Sequence, residues 1–218
     1  MKKLFFAALM TFIITTLIGC GGDSHPAPQP VVAQIFSDPA VDGDIMQYPQ
    51  DIFTITQGNT QIVYAGVDPA NGAEYRAFLS FPLSGPSGVP SNAVIESASL
   101  DIVINSIYPQ PLNGTIPIRI DLISYPTPTL FTSDYDRAFQ PALLTFTIEP
   151  PISQADFGQH VALDVTSFML EAQRLGLPDF QVRILEDFGA ASNGLIEIND
   201  TTGPNREALA PLLQVVYH

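Results

Sequence analysis

Apolar side chains recur at every second position along most of this chain, and that period admits sheet and little else. Leu79, Phe81 and Leu83 alternate with Phe78, Ser80 and Pro82, and Leu100, Ile102 and Ile104 with Asp101, Val103 and Asn105. Ile116, Ile118, Ile120 and Leu122 alternate with Pro117, Arg119, Asp121 and Ile123, and Phe180, Val182 and Ile184 with Gln181, Arg183 and Leu185. Successive strand side chains point to opposite faces, so each set supplies one apolar face and one mixed face, the pattern of antiparallel sheet half open to water. Gln61 to Tyr64, Leu143 to Ile148, His160 to Val165, Leu195 to Ile198 and Leu212 to Tyr217 bring the expected count to about nine or ten strands. With 15 glycines and 20 prolines punctuating them, many short strands predict an all-β chain, an antiparallel β-sandwich. One segment breaks the period. Thr166 or Ser167 is a good N-cap, Phe168, Ala172 and Leu175 follow at helical spacing, and Gly176 with Pro178 makes a stop, which predicts one short helix from Ser167 to Leu175 over an open end of the sandwich.

The start of the chain has a different character. Lys2 and Lys3 precede an uncharged run from Leu4 to Ile18, apolar except for Thr11, Thr15 and Thr16, and Leu17-Ile18-Gly19-Cys20 closes it. A membrane-spanning helix takes about 20 apolar residues, and this run is nearer the roughly 7 to 15 of a secretory leader core. The arrangement resembles a bacterial lipoprotein signal with its lipobox. It implies removal of residues 1–19, a diacylglycerol on Cys20, and a chain anchored by lipid to a membrane surface. Gly21 in second place of the mature chain favours the outer membrane. Residues 20–33 then read as a tether, whose alternating prolines Pro26, Pro28 and Pro30 favour extended backbone, and 34–218 as a single domain.

Charge narrows the partners. Lys2 and Lys3 are the only lysines, so without the leader the 8 basic residues fall to 6, all arginine, against 22 acidic ones, a net charge of −16. Such a surface repels phosphate backbones and anionic headgroups, which excludes nucleic acid as an expected partner and leaves membrane attachment to the acyl chains. Cys20 is the single cysteine; committed to lipid, it leaves no thiol for a disulfide, a thiolate metal site or a nucleophile. Stability must come from a core, and about 185 residues suffice for one.

Four stretches together resemble the DNRLRE family of bacterial β-sandwich domains, related to carbohydrate-binding modules: Tyr75-Arg76-Ala77-Phe78-Leu79-Ser80-Phe81-Pro82-Leu83, Ala93-Val94-Ile95-Glu96-Ser97-Ala98-Ser99-Leu100, Val161-Ala162-Leu163-Asp164-Val165-Thr166-Ser167-Phe168 and Ala210-Pro211-Leu212-Leu213-Gln214-Val215-Val216-Tyr217. The resemblance covers most of Ile35 to Tyr217 and implies a jelly-roll sandwich. Pro211 opens a final strand expected to close a sheet edge. Where family members often carry a tryptophan and an acidic residue, this chain has Tyr125-Pro126-Thr127-Pro128-Thr129, and it contains no tryptophan at all. Sugar platforms rely on flat aromatic faces, strongest with indole. Tyrosine is the available substitute, and Tyr108, Tyr125 and Tyr135 fall in expected loops.

Catalysis has little to stand on. His25 lies in the tether, His160 beside a strand and His218 at the terminus, so no serine or cysteine triad assembles. Carboxylates are too plentiful for any pair to be singled out for glycoside cleavage. Calcium is the more reasonable inorganic partner: Asp42-Gly43-Asp44 offers two carboxylates in a loop entering the sandwich, and Asn199-Asp200-Thr201 adds oxygens from a loop near the last strands, toward the six to eight that hard cations take. Asp42, Asp44 and Asp200 are thus the candidate ligands, although turn formation explains Asp-Gly equally well. Asp134-Tyr135-Asp136 reads as a solvated loop. Two functions remain: a non-catalytic recognition module for a polysaccharide or other extracellular polymer, or a structural lipoprotein docking a protein partner in the envelope or a surface appendage.

Overall fold

In a computed structural model, described over residues 29–48, 51–187 and 193–218, the alternating segments pair into one continuous curled sheet in which every pairing is antiparallel. The expected leader, Cys20 and the expected tether as far as residue 28 lie outside the described residues. The strands are β1 (Val31–Phe36), β2 (Gly43–Tyr48), β3 (Ile52–Gln57), β4 (Ile62–Val67), β5 (Glu74–Pro82), β6 (Ile95–Gln110), β7 (Ile118–Ile123), β8 (Leu144–Thr147), β9 (His160–Asp164), β10 (Asp179–Glu186), β11 (Asn193–Asn199) and β12 (Leu212–Tyr217). They run in the order β1-β12-β6-β11-β4-β5-β10-β7-β8, with β9 beside β6 and the β2–β3 hairpin beside β5. This is the all-β, sandwich-like architecture that the period required.

The long strand β6 joins the two layers. Its first half, around Ser97 to Val103, pairs with β12 and β9, and its second half, Ile104 to Gln110, pairs with β11. Leu100, Ile102 and Ile104 on β6 meet Leu79 and Phe81 on β5, Ile118, Ile120 and Leu122 on β7, and Phe180, Val182 and Ile184 on β10 in one apolar core. These are the inward sets of the sequence pattern.

Helix α2 (Thr166–Leu175) covers one end of that core with Phe168, Met169 and Ala172. Gly176 ends it in the left-handed conformation, φ 65°, which glycine enters without steric cost. Its N-terminus differs from expectation: Thr166 is the first helical residue, and its N–H and hydroxyl both donate to Asp164 Oδ1, at 2.9 and 2.6 Å. Val165 holds the N-cap position without a side-chain cap bond, Asp164 before it serves the first turn instead, and those two bonds hold its carboxyl below the usual range. Leu175, placed on the buried stripe by spacing, is exposed, and Met169 takes that role. Two single-turn helices, α1 (Thr132–Tyr135) and α3 (Arg206–Leu209), were not foreseen.

Three further corrections concern the sheet. The domain begins at Val31, inside the expected tether, because β1 pairs along its length with β12. β12 is no edge; it lies between β1 and β6. Asp42-Gly43-Asp44 is no loop either, since Gly43 opens β2 and Asp44 lies within it. A Cβ at position 43 would stand 2.3 Å from the Thr56 carbonyl oxygen, so the glycine permits the close approach of β2 to β3 rather than a turn.

Candidate functional site

The outer side of the sheet carries a groove of about 940 Å³ over β4, β11 and β6, at the upper end of the roughly 300–1,000 Å³ typical of ligand sites. Its aromatic wall comes from alternation. Val63 and Ala65 point into the core, so Tyr64 between them points out; Ile196 and Ile198 do the same for Glu197, which lies directly opposite Tyr64. Tyr75, from β5, tilts against Tyr64 with ring centroids 5.4 Å apart. Tyr108, on the far side, is 47% exposed. Gly66 bends β4 beneath them: its φ is +109°, and a Cβ there would stand 2.1 Å from the Gly194 carbonyl oxygen.

The polar groups are held in place. Tyr108 donates its hydroxyl to Glu197 Oε1 at 3.0 Å, and Asn105 donates its amide to Glu197 Oε2 at 3.3 Å. Asp68 Oδ1 accepts the Ala70 N–H at 2.8 Å, shaping the turn that forms one rim. Gln154 donates to the Ile107 carbonyl at 3.2 Å, while Pro109, Pro111 and Leu112 form the opposite rim. Burial, then the Glu197 charge, pushes the Tyr64 hydroxyl up; burial, then Tyr48 and Asp68, does the same for Tyr75. Both therefore stay protonated donors in neutral water. No lysine, arginine or histidine is among the described residues lining the groove.

Of the three tyrosines expected at a ligand, only Tyr108 is here, and it stands on strand β6 rather than in a loop. Tyr125 is buried, 4% exposed, packed edge-on against Phe78 at 5.9 Å between centroids, with its hydroxyl unpartnered. Tyr135, equally buried, is held between the Phe53 ring and the Arg76 guanidinium, which lies 3.8 Å over its face. It borders a separate hollow with Thr132 and Phe139. Both belong to a second, smaller apolar cluster with Val41, Ile45, Phe78 and Leu130, since the segment after β7 folds back over the outer face and takes them out of solvent. Asp134, expected in a solvated loop, is buried there too and accepts the Phe131 N–H at 2.8 Å. Tyr64, Tyr75 and Glu197 were missed. The signal that could have found them is a large or charged side chain set between two core residues of a strand.

The three candidate calcium ligands divide. Asp42 and Asp200 are fully buried and in hydrogen-bonding contact. Asp42 Oδ1 accepts the Ser80 N–H and Asp200 Oδ2 the Thr60 hydroxyl, both at 2.8 Å, and the Ser37 side chain also bonds to Asp42. Burial and then the Asp200 charge drive Asp42 well above the carboxylate range; burial pushes Asp200 up to about 6. Asp44 stands by itself, accepting the Tyr64 N–H at 3.2 Å, and burial pushes it up to about 7. Among the described residues no group of three or more His, Cys, Asp or Glu side chains is arranged to hold a metal ion. A proton shared between the two carboxyls, with Asp42 donating to Asp200, relieves the repulsion of two buried charges.

The remaining histidines sit away from the groove: His160 Nδ1 meets Asp101 at 2.8 Å and His218 Nε2 meets Glu96 at 2.7 Å, both beside the first half of β6. No protein-family model matches the chain, and no curated protein matches it.

Proposed function

We propose that this chain is a non-catalytic recognition module, lipid-anchored at the bacterial outer membrane through Cys20, that binds a polysaccharide along the tyrosine groove. The observation that carries the reading is the convergence of Tyr64, Tyr75 and Tyr108 with an oriented Glu197 in one open groove. Tyrosine rings give sugar C–H faces a surface to stack on, and fixed hydroxyls, amides and a carboxylate take the sugar hydroxyls. Both Glu197 oxygens are already bonded, and no histidine is within the lining, which suits holding a ligand more than transforming it. The resemblance to carbohydrate-binding sandwich domains points the same way.

The test is a glycan array probed with the full chain in a polyoxyethylene detergent, which carries neither sugar nor amine. Binding that disappears in Tyr64→Ala and Tyr108→Ala supports the reading. Binding untouched by both substitutions, or no sugar bound at all, sinks it.

A second reading, docking of a protein partner in the envelope, rests on β3. This strand pairs only with β2, carries no charge along Ile52-Phe53-Thr54-Ile55-Thr56-Gln57, and leaves Ile52 57% exposed. An uncharged edge of that kind is a template for another strand. A stoichiometric envelope protein captured by the native chain and released by Thr54→Pro would favour it.

A further inference from the structure

The groove bears charge of one sign. Glu197 and Asp68 stand among its tyrosines, and no basic side chain answers them from the lining. The six arginines of the described residues are all engaged elsewhere: Arg76 with Glu74, Arg119 with Asp187, Arg137 and Arg183 with Asp121, Arg174 with Glu171, and Arg206 with the carbonyls of Ser37 and Thr201. An anionic sugar entering the groove would meet two carboxylates and no cation. The field of the whole chain, with a formal net charge of −14, acts in the same direction.

Aromatic faces add to this preference. A tyrosine ring is negative over its face, so rings grouped beside carboxylates attract an ammonium group. Burial is the main cause of the raised Tyr64 and Tyr75 hydroxyls, and the further push on Tyr64 from Glu197, and on Tyr75 from Tyr48 and then Asp68, has the sign of a negative potential at the rings. A neutral polymer would use the stacking surface and leave the paired carboxylate without a counter-charge.

We infer that the ligand of this groove is an amine-bearing polysaccharide, a hexosamine polymer with free amino groups, whose ring faces stack on Tyr64, Tyr75 and Tyr108 and whose ammonium groups meet Glu197 and Asp68. The inference rests on the polysaccharide reading and narrows it by ligand charge.

Calorimetric titration of the full chain, in the same detergent at pH 6, tests it with five probes: a glucosamine oligomer, its fully N-acetylated twin, a glucose oligomer of equal length, a galacturonic acid oligomer and oligolysine. The expected result is binding of the glucosamine oligomer about tenfold tighter than its acetylated twin, weakened several-fold between about 50 and 500 mM salt. Glu197→Gln should lower that affinity about fivefold or more with the unfolding midpoint unchanged, and Asp68→Asn, which keeps the turn's acceptor, should lower it as well. Acetylated or neutral oligomers binding within twofold of the amine overturn the inference and leave the sugar reading standing. Preference for the galacturonic acid oligomer, or glucosamine binding that is indifferent to both substitutions, also overturns it. No binding of any sugar defeats both readings, and oligolysine binding tighter than every sugar replaces the polysaccharide with a basic peptide.

Discussion

The outer side of the sheet is treated in opposite ways at two places. Over β5, β10 and β7 it is roofed by residues 124–142, and over β4, β11 and β6 it is left open. In the roofed region, Arg183 points away from the main core yet is fully buried. Its Nη2 donates to Asp121 Oδ2 at 2.7 Å and its Nη1 to the Asp134 carbonyl at 2.7 Å, while Thr145 and Arg137 take Asp121 Oδ1. In the open region Tyr64 and Glu197 occupy equivalent outward positions and keep contact with solvent. Alternation built both surfaces. What differs is whether a distant segment of chain came back to cover them, and a covered surface must pair its charges internally while an open one can offer them to a ligand.

The largest expected effect tests the roof. Arg183→Met takes from Asp121 its fully buried cation and leaves it only the half-exposed Arg137 and Thr145, and removing one partner of a buried ion pair costs up to about 3–5 kcal/mol; urea unfolding measures it. A loss below about 1 kcal/mol would mean that Asp121 is already served by Arg137 and Thr145, or reached by water. Gly66→Ala comes next, since it strains the bend under the groove: a non-glycine residue held at positive φ costs about 1–3 kcal/mol, and the Gly194 carbonyl must move. Sugar affinity should fall with stability, linking the bend to the groove.

Acidity gives a third contrast, between Asp121 in its ion pairs and buried carboxyls that stand in none among the described residues. Burial raises Asp44 from 3.8 and Glu186 from 4.5 to about 7, and Asp200 from 3.8 to about 6. The folded chain thus keeps protons that the unfolded chain has released. The stability they contribute is complete below the unfolded values and is lost as pH rises through about 6 to 7. The unfolding midpoint should therefore be higher at pH 5 than at pH 8; a midpoint that rises with pH would contradict the burial of these groups.

The smallest effect on stability belongs to the open region. Tyr108→Ala should change the unfolding free energy by no more than about 0.5 kcal/mol, as surface substitutions do, while sugar binding is lost. A large destabilisation would make Tyr108 a packing residue and erase the contrast with Tyr125. Added calcium, at the other extreme of the Asp42–Asp200 question, should leave the midpoint where it was.

Much of the fold was legible in the residues. The inward sets on β5, β6, β7 and β10 are those that alternation marked, and the helix stop at Gly176 follows from glycine's freedom at positive φ. The β2–β3 hairpin was not legible, because Asp42-Gly43-Asp44 has the composition of a turn and only the closeness of Thr56 explains the glycine. The site was legible in type but not in position. Tyrosine was the expected aromatic, but loops were the wrong place to look: Tyr125 and Tyr135 were taken into the second core, and the groove drew on outward-facing strand residues.

By itself the sequence determined that the chain must form sheet, which side chains share a face along each strand, where the helix stops, and that the chain is acidic, with Lys2 and Lys3 its only lysines and every other formally basic residue an arginine. The tertiary structure decided which outward faces are covered. Gln57 bonding to Val41, Pro128 and Leu130, and Arg183 reaching Asp134, are contacts between segments far apart in the chain. A period of two residues carries no information about such distances, so burial of the same kind of outward residue follows from topology alone.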